Sequence, residues 1–341
     1  MLSNNTASRG WGAASSSVGG GAVCSSWLTD CLIVSNSALG VGGGAWYCTM
    51  SRCTLGGNSA ALEGGGANQC NLTGCVLLTN TSAQRGGGAC FGSLVNCTVV
   101  GNSAAVSCGG VGMMSGLRNS IIYYNTAPSE PELEHDNVIY DCCTPIYYRG
   151  VDKFSLPPLF VDRATGDLRL LSNSPCINSG RNAYVSDASL DRDGNPRIAG
   201  GTVDTGAYEY QAPASRVSYA FLQQFGLPAD GSADDQDPDG DGMSNAQEWR
   251  CGTDPTNAAS VLRLLSPIWS ESGVTLTWPT VRSRTYLVQR ATALGNAANF
   301  QTIATNLPAS YSYTNTFLDY DAAFMPEPLF YRIGVAPSDR W

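Results

Sequence analysis

The feature that most constrains this chain is a repeat of about 22 residues in its first third. Glycine runs recur at Gly19–Ala22, Gly42–Ala45, Gly64–Ala67 and Gly86–Ala89, then in degenerate form at Cys108–Val111. A cysteine column keeps the same step through Cys31, Cys53, Cys75 and Cys97, and the count then reaches Asn119. An asparagine column runs through Asn36, Asn58, Asn80 and Asn102. Two residues after each position of the cysteine column stands an aliphatic: Ile33, Leu55, Leu77, Val99, Ile121. Three before it stand Leu28, Met50, Leu72 and Leu94, and Asn4 and Gly10 hint at one earlier copy.

Apolar and polar residues alternate around each cysteine, with Cys53 and Leu55 facing in and Thr54 out, so the repeat is built of short strands. The period is too short for a pair of helices, and the glycine-rich corners oppose helix in any case. An all-β, right-handed parallel β-helix fits. Each copy is one coil of about three strands, stacked ~4.8 Å on the next, so that identical side chains form ladders. About six to nine coils would make a rod of roughly 30–45 Å. Asparagine tolerates the left-handed conformation and bonds neighbouring coils, which makes its column structural. Buried cysteines behave as small hydrophobes. The 13 cysteines are odd in number, so at least one stays unpaired. Cys48/Cys53, Cys70/Cys75 and Cys90/Cys97 are near enough in sequence to bridge in an oxidising compartment.

The chain carries a net charge of −9, one Lys (Lys153) and one His (His135). That balance excludes a nucleic-acid partner, which needs clustered Lys and Arg. No apolar run reaches the ~18 residues of a membrane span. The repeat is already running at Asn4 with no signal peptide before it, from which we expect the natural chain to begin upstream.

The glycine and Asn-Ser-Ala rhythm of residues 1–128 resembles the repeats of polymorphic outer-membrane proteins and related bacterial β-helix surface proteins. Residues 119–211 continue with Asn119–Asn125, Pro158–Asp162, Gly166–Leu170, Ser174–Gly180, Asp191–Arg197 and Val203–Tyr210. This series resembles the choice-of-anchor Q domain that ends secreted bacterial β-helices. Residues 1–211 are therefore expected to form one domain, closed by a cap over about 129–211 that covers the last coil's unpaired edge. Asp191, Asp193 and Asp204 read as turn acids beside Arg197. Glu130, Glu132, Glu134, His135 and Asp136 read as a solvated loop.

The sharpest motif lies in residues 212–260. From Asp237, oxygen-bearing residues fall at positions 1, 3, 5, 9 and 12 (Asp237, Asp239, Asp241, Asn245, Glu248), with Gly242 at position 6. That spacing is the Ca²⁺ loop of an EF-hand, where six to eight hard oxygens surround the ion and glycine makes the sharp turn. Met243 would supply its backbone carbonyl. Residues 215–226 read as a short helix before the loop, and Gly252–Pro255 stops a second helix after it. The stretch resembles thrombospondin type 3-like and dockerin-like loops of secreted bacterial proteins. The expected cofactor is Ca²⁺.

Residues 261–341 alternate in period 2 with Gly, Pro and Asn breaks, as in a small β-sandwich of six or seven strands. They resemble fibronectin type III-like modules. Trp269, Trp278 and Tyr286 read as core aromatics, with sugar stacking as the other use of such rings. Glycoside hydrolysis needs two carboxylates about 5–10 Å apart. Residues 1–128 hold only Asp30 and Glu63, with Arg52 and Arg85 isolated. We therefore expect no catalytic residues, and a secreted or cell-surface bacterial protein that binds Ca²⁺ and serves adhesion or binding of a polysaccharide or cell-surface glycan. A polysaccharide lyase or glycoside hydrolase is the alternative.

Overall fold

The computed structural model describes residues 1–7, 20–145, 150–151, 153–186, 189–294, 299–310, 312–325 and 328–336; Gly10 and Gly19 of the repeat lie outside them. The chain divides into two compact units, residues 1–229 and 230–338.

The first unit is a parallel β-solenoid of about five turns, fewer than the repeat count suggested. From Val23 to Val100 its coils pair in register at the step of the sequence repeat, while the first strands pair 31 residues on (Leu2 with Ile33, Thr6 with Ser37). One face stacks Leu2–Ser3, Leu32–Val34, Thr54–Gly56, Val76–Leu78, Thr98–Val100 and Ile121–Tyr123. The second stacks the short strands from Thr6–Ala7 to Ser103–Ala104, and the third runs from Val23–Cys24 to Gly150–Val151. The earlier coil exists, but Asn5 rather than Asn4 enters the asparagine column, because Asn5 bonds Asn36.

Each coil bends where φ turns positive. Four such columns run up the rod: Gly20 to Cys108, Ser25 to Met113, Asp30 to Asn119 and Ser35 to Tyr124. The glycine corner is required sterically as well. A Cβ on Gly65 would stand 2.2 Å from the Thr81 carbonyl oxygen. The asparagine column is not one of these bends. Its residues follow Ser35, Gly57, Thr79 and Gly101, which take the positive φ instead.

The core is narrow and ordered into ladders. Ile33, Leu55, Leu77 and Val99 are sealed from solvent, as are Cys53, Cys75 and Cys97, while Cys31 is half-buried. All 13 cysteines are thiols. Within the column, the Cys31 N–H points at Cys53 Sγ and the Cys53 N–H at Cys75 Sγ, both at 3.4 Å. At the fifth coil the column continues to Ser120, not Asn119, and the aliphatic to Ile122, not Ile121. This coil is one residue longer, so a fixed count misplaces both.

The segment after residue 153 does more than close the end. It lies along the outside of the first face, where Val76, Val100, Ile121 and Tyr123 pack with Phe160, Leu168, Leu170 and Ala207. Arg192 donates to Thr54 Oγ1, and the Ala207 N–H to Thr98 Oγ1. Asn119, displaced from the core, holds this segment: its side chain exchanges two hydrogen bonds with the Arg181 backbone. A short helix, α1 (Tyr219–Gln224), follows.

The second unit holds two three-stranded antiparallel sheets. One is Ile268–Ser270, Gly273–Pro279 and Thr314–Asp319; the other is Thr285–Ala291, Gln301–Pro308 and Phe330–Val335. They share a core of Val274, Leu276, Trp278, Tyr286 and Val288, as a sandwich does. Trp278 and Tyr286 are therefore core residues, and Trp269 is half exposed.

Candidate metal centre

Four groups of polar residues were candidates for function, and in three of them most carboxylates are met by the protein itself, although the buried Arg197 Nε and Nη1 of the closing segment meet no partner. Asp30 receives Arg52 through Nε at 2.8 Å and Nη2 at 2.6 Å. Glu63 receives Arg85 Nε at 2.8 Å. Each arginine sits one coil beyond its acid, so Arg52 and Arg85 are paired rather than isolated.

Three of the acids of residues 130–136, Glu130, Glu132 and Glu134, are also engaged, which corrects their reading as solvated, while His135 and Asp136 are exposed as expected. Glu132 is buried. It ends the asparagine ladder, in which the N–H and Nδ2 of each asparagine donate to Oδ1 of the next, from Asn36 through Asn58, Asn80 and Asn102 to Asn125. Asn125 Nδ2 donates to Glu132 Oε2 at 2.7 Å. Burial pushes the Glu132 carboxyl up to about 7 despite these bonds. Glu130 accepts the His135 N–H and Glu134 the Met113 N–H.

In the closing segment, Asp191 accepts the N–H groups of Asp193, Asn195 and Glu209. Asp204 accepts those of Asn178 and Tyr210, and Glu209 those of Ala199 and Asp204. Arg197 Nη2 donates to the Asp204 and Gly206 carbonyls rather than to a carboxylate. Burial raises the carboxyls of Asp204, to about 7, and of Glu209.

The fourth group, the loop at 237–248, is different. Carboxylate oxygens of Asp237, Asp239 and Asp241 lie within 4.8 Å of one another. Local backbone bonds set this geometry. The Gly240 and Gly242 N–H groups donate to the two oxygens of Asp237, the Asp241 N–H to Asp239 Oδ1, and the Met243 N–H to Asp241 Oδ1. Gly240 and Gly242 have φ of 76° and 95°, which lets the loop turn back on itself.

The exit is a helix, α2 (Asn245–Cys251), ended by Gly252 at φ 75°. Gln247 Oε1 accepts the Ser244 N–H at its start. Asn245 Nδ2 donates to the Ala233 carbonyl at 2.8 Å, which fixes the amide. The Asn245 and Ala246 N–H groups bond the carbonyls of Gln236 and Asp234. At the other end, Arg284 from the sandwich donates to the Trp249 and Arg250 carbonyls. Helix α1 is separated from the loop by the turns of residues 225–236, so the brace before the loop is irregular backbone. Neither Ala233 nor Arg284 carries a sequence signal for this role.

Five buried oxygens of the loop accept no hydrogen bond: Asp239 Oδ2, Asp241 Oδ2, Asn245 Oδ1 and both carboxylate oxygens of Glu248. Asn245 and Glu248 are wholly buried. Burial, and then the Asp239 and Asp241 charges, push the Glu248 carboxyl up to about 7. Each orphaned acceptor costs about 1–3 kcal/mol unless something meets it, and more where it is charged. These are all hard oxygens with no nitrogen or sulfur among them, the donor set that suits Ca²⁺. The residues thus fit the ion that the spacing implies. Asp237 is exposed, and both its oxygens keep a lone pair beyond their backbone bonds.

Among the described residues no helix is long and apolar enough to cross a membrane. Comparison of the chain with curated proteins and with solved structures gives no match. The bacterial TSP3 repeat, a calcium-binding repeat, matches residues 237–258.

Proposed function

We propose that the chain is an extracellular bacterial protein whose second unit binds one Ca²⁺ and whose β-solenoid serves adhesion or glycan binding without catalysis. The observation that carries the calcium reading is the set of orphaned oxygens on Asp239, Asp241, Asn245 and Glu248. Asp237 and the Met243 carbonyl complete the ligand set. The ion supplies positive charge to a buried, acceptor-only pocket; it is structural in this reading. Asn245 and Glu248 open α2, whose other end is held by Arg284. Ion binding therefore fastens the loop to the sandwich. Extracellular calcium is millimolar, so a weak site is still filled.

The non-catalytic reading rests on Asp30 and Glu63, each paired with an arginine one coil away and separated from the other along the repeat. A bacterial TSP3 repeat and a β-solenoid are both consistent with life outside the cell.

Calorimetry and limited proteolysis at 0 and ~2 mM Ca²⁺ test the calcium site. We expect one binding event, and protection from cleavage between Gly226 and Thr256. Asp241→Ala should abolish both. No heat of binding, and equal cleavage in both conditions, would reduce the loop to an acidic segment. Glycan arrays and uronate-polymer turnover assays separate binder from enzyme; turnover lost in Asp30→Asn or Glu63→Gln would overturn the non-catalytic reading.

A further inference from the structure

We infer that the third face of the solenoid carries a subsite for a neutral oligosaccharide, in a groove of about 310 Å³ lined by Trp46, Glu63, Asn68, Gln69, Gln84 and Phe91. The inference deepens the glycan-binding reading above and rests on it. Trp46 and Asn68 are register partners on adjacent coils, and Cys90 follows on the next. Tyr47, Gln69 and Phe91 follow these three residues, so they form the neighbouring corner column. Along it, Tyr47 and Phe91 stand two coils, ~10 Å, apart with Gln69 between them.

Two independent observations mark this groove as built for a ligand. Asn68 is only 2% exposed, lines the groove, and its Nδ2 has no hydrogen-bond partner. A buried amide donor is costly to leave unmet, and a turn of the Asn68 amide toward the groove it lines would present that donor to a sugar hydroxyl. The second observation is backbone strain. Ser25, Tyr47, Gln69, Phe91 and Met113 all hold φ between 49° and 59°. The other three columns of positive φ use glycine in at least one coil, for instance Gly42, Gly74 and Gly57. This column never does, and it keeps a tyrosine and a phenylalanine in the left-handed region that bulky L-residues avoid. Strain that persists at a surface corner is what a binding site retains.

The chemistry selects the ligand class. Trp46 and Phe91 offer rings for the C–H face of a pyranose, and the amides of Asn68, Gln69 and Gln84 offer donors and acceptors for its hydroxyls. Glu63 adds a carboxylate acceptor. The Arg85 charge beside it is countered by Glu63 at 2.8 Å and Glu134 at 3.9 Å. With Arg85 so countered, the charges at the groove offer an acidic glycan no net attraction, and a neutral one needs none.

The test is calorimetric titration of the full chain with cellohexaose, laminarihexaose and mannohexaose, and with hexagalacturonate as the acidic control. We expect binding of at least one neutral hexamer, weakened about tenfold or more in Trp46→Ala. Gln69→Gly and Phe91→Gly place glycine where it is unstrained, so both should fold; each should weaken binding severalfold. Neutral-hexamer affinity unchanged in all three variants would overturn the groove and leave the glycan reading standing. Preference for hexagalacturonate would overturn the neutral class. No binding of any hexamer would overturn both the groove and the glycan reading.

Discussion

Asn80 in the rod and Asn245 in the second unit are both sealed from solvent, and their amide oxygens are in opposite states. Asn80 Oδ1 accepts two donors from Asn58, and its Nδ2 donates to Asn102 and to the Leu55 carbonyl. Asn245 Nδ2 is bonded, but its oxygen meets nothing. The ladder repeats one solution, so each of its asparagines finds an acceptor one coil away. The loop gathers acceptors alone. Burial of polar groups is common to both regions; a surplus of one kind is what signals a missing ligand.

The largest effect that separates the two regions is at the middle of the ladder. Asn80→Ala leaves two Asn58 donors without an acceptor, and strips a donor from the Leu55 carbonyl and from Asn102 Oδ1. We expect a loss of about 4 kcal/mol, read as a lower urea midpoint for the first unit. Asn245→Ala without calcium removes only the bond to the Ala233 carbonyl and should cost about 1 kcal/mol. Equal costs would break the comparison.

The ladder's end gives the next effect. The Glu132 carboxyl titrates near 4.5 in the unfolded chain and at about 7 in the rod. The folded state therefore holds a proton that the unfolded chain releases. That stabilisation is full below pH 4.5 and is lost as pH rises through about 7, with an upper bound of roughly 3 kcal/mol. Asp204 and Glu209 are raised by burial too and act in the same direction. Glu132→Gln isolates the ladder's share. Urea midpoints of wild type and variant should diverge between pH 5 and pH 8. Parallel curves would show that Glu132 folds with the same affinity for its proton as in the open chain.

Calcium sharpens the comparison by acting on one side of it. At 100 times the dissociation constant it should stabilise the second unit by about 2.7 kcal/mol and leave the rod's midpoint unmoved. Glu248→Gln should show opposite signs in the two conditions. Without the ion it relieves a buried charge beside Asp239 and Asp241 and raises the second unit's melting temperature. With the ion it removes a charged ligand and lowers it. A variant that melts lower in both conditions would mean that Glu248 is a structural acceptor only.

What the sequence showed follows from the same contrast. The acceptor loop at 237–248 was legible because oxygen-bearing residues fall at fixed spacings within twelve residues, and the structure brings Asp237, Asp239 and Asp241 together. The coil was legible because stacking makes residues 22 apart neighbours. The fixed period then misplaced Asn119 and Ile121, since a one-residue insertion in the fifth coil shifts every later position without disturbing the pairing. The Asp30/Arg52 and Glu63/Arg85 pairs obey the 22-residue step and were readable from it, had the charged residues been counted as a column. Glu132 was not readable: its burial comes from stacking on Asn125, while its neighbours Glu130 and Glu134 look alike in sequence. The bracing of α2 by Arg284 joins residues more than 30 apart with no repeat to relate them.

The smallest effect separates charge from backbone at one rod corner. Asp30 and Arg52 form a two-bond ion pair, but the Asp30 side chain is 55% exposed. An exposed pair is worth about 0.2–1 kcal/mol. Asp30 also sits at φ 54°, in the left-handed region. Asp30→Asn removes the charge and keeps a side chain that tolerates this backbone, so it should cost under ~1 kcal/mol. Asp30→Ala removes the charge and keeps the Cβ without the short polar group that makes this backbone tolerable, and should cost about 1 kcal/mol more. Asp30→Gly loses the same pair but relieves the strain, so it should fall near Asp30→Asn. The Arg52 guanidinium holds the Asp30 carboxyl below its usual range. The pair's contribution is therefore present above pH 3.8 and lost as pH falls through that lowered value. Urea midpoints at pH 7 for the three variants decide the matter. Equal costs for Asn and Ala would show that the corner carries no strain, and the strain argument for the Tyr47–Phe91 column would then lose its ground as well.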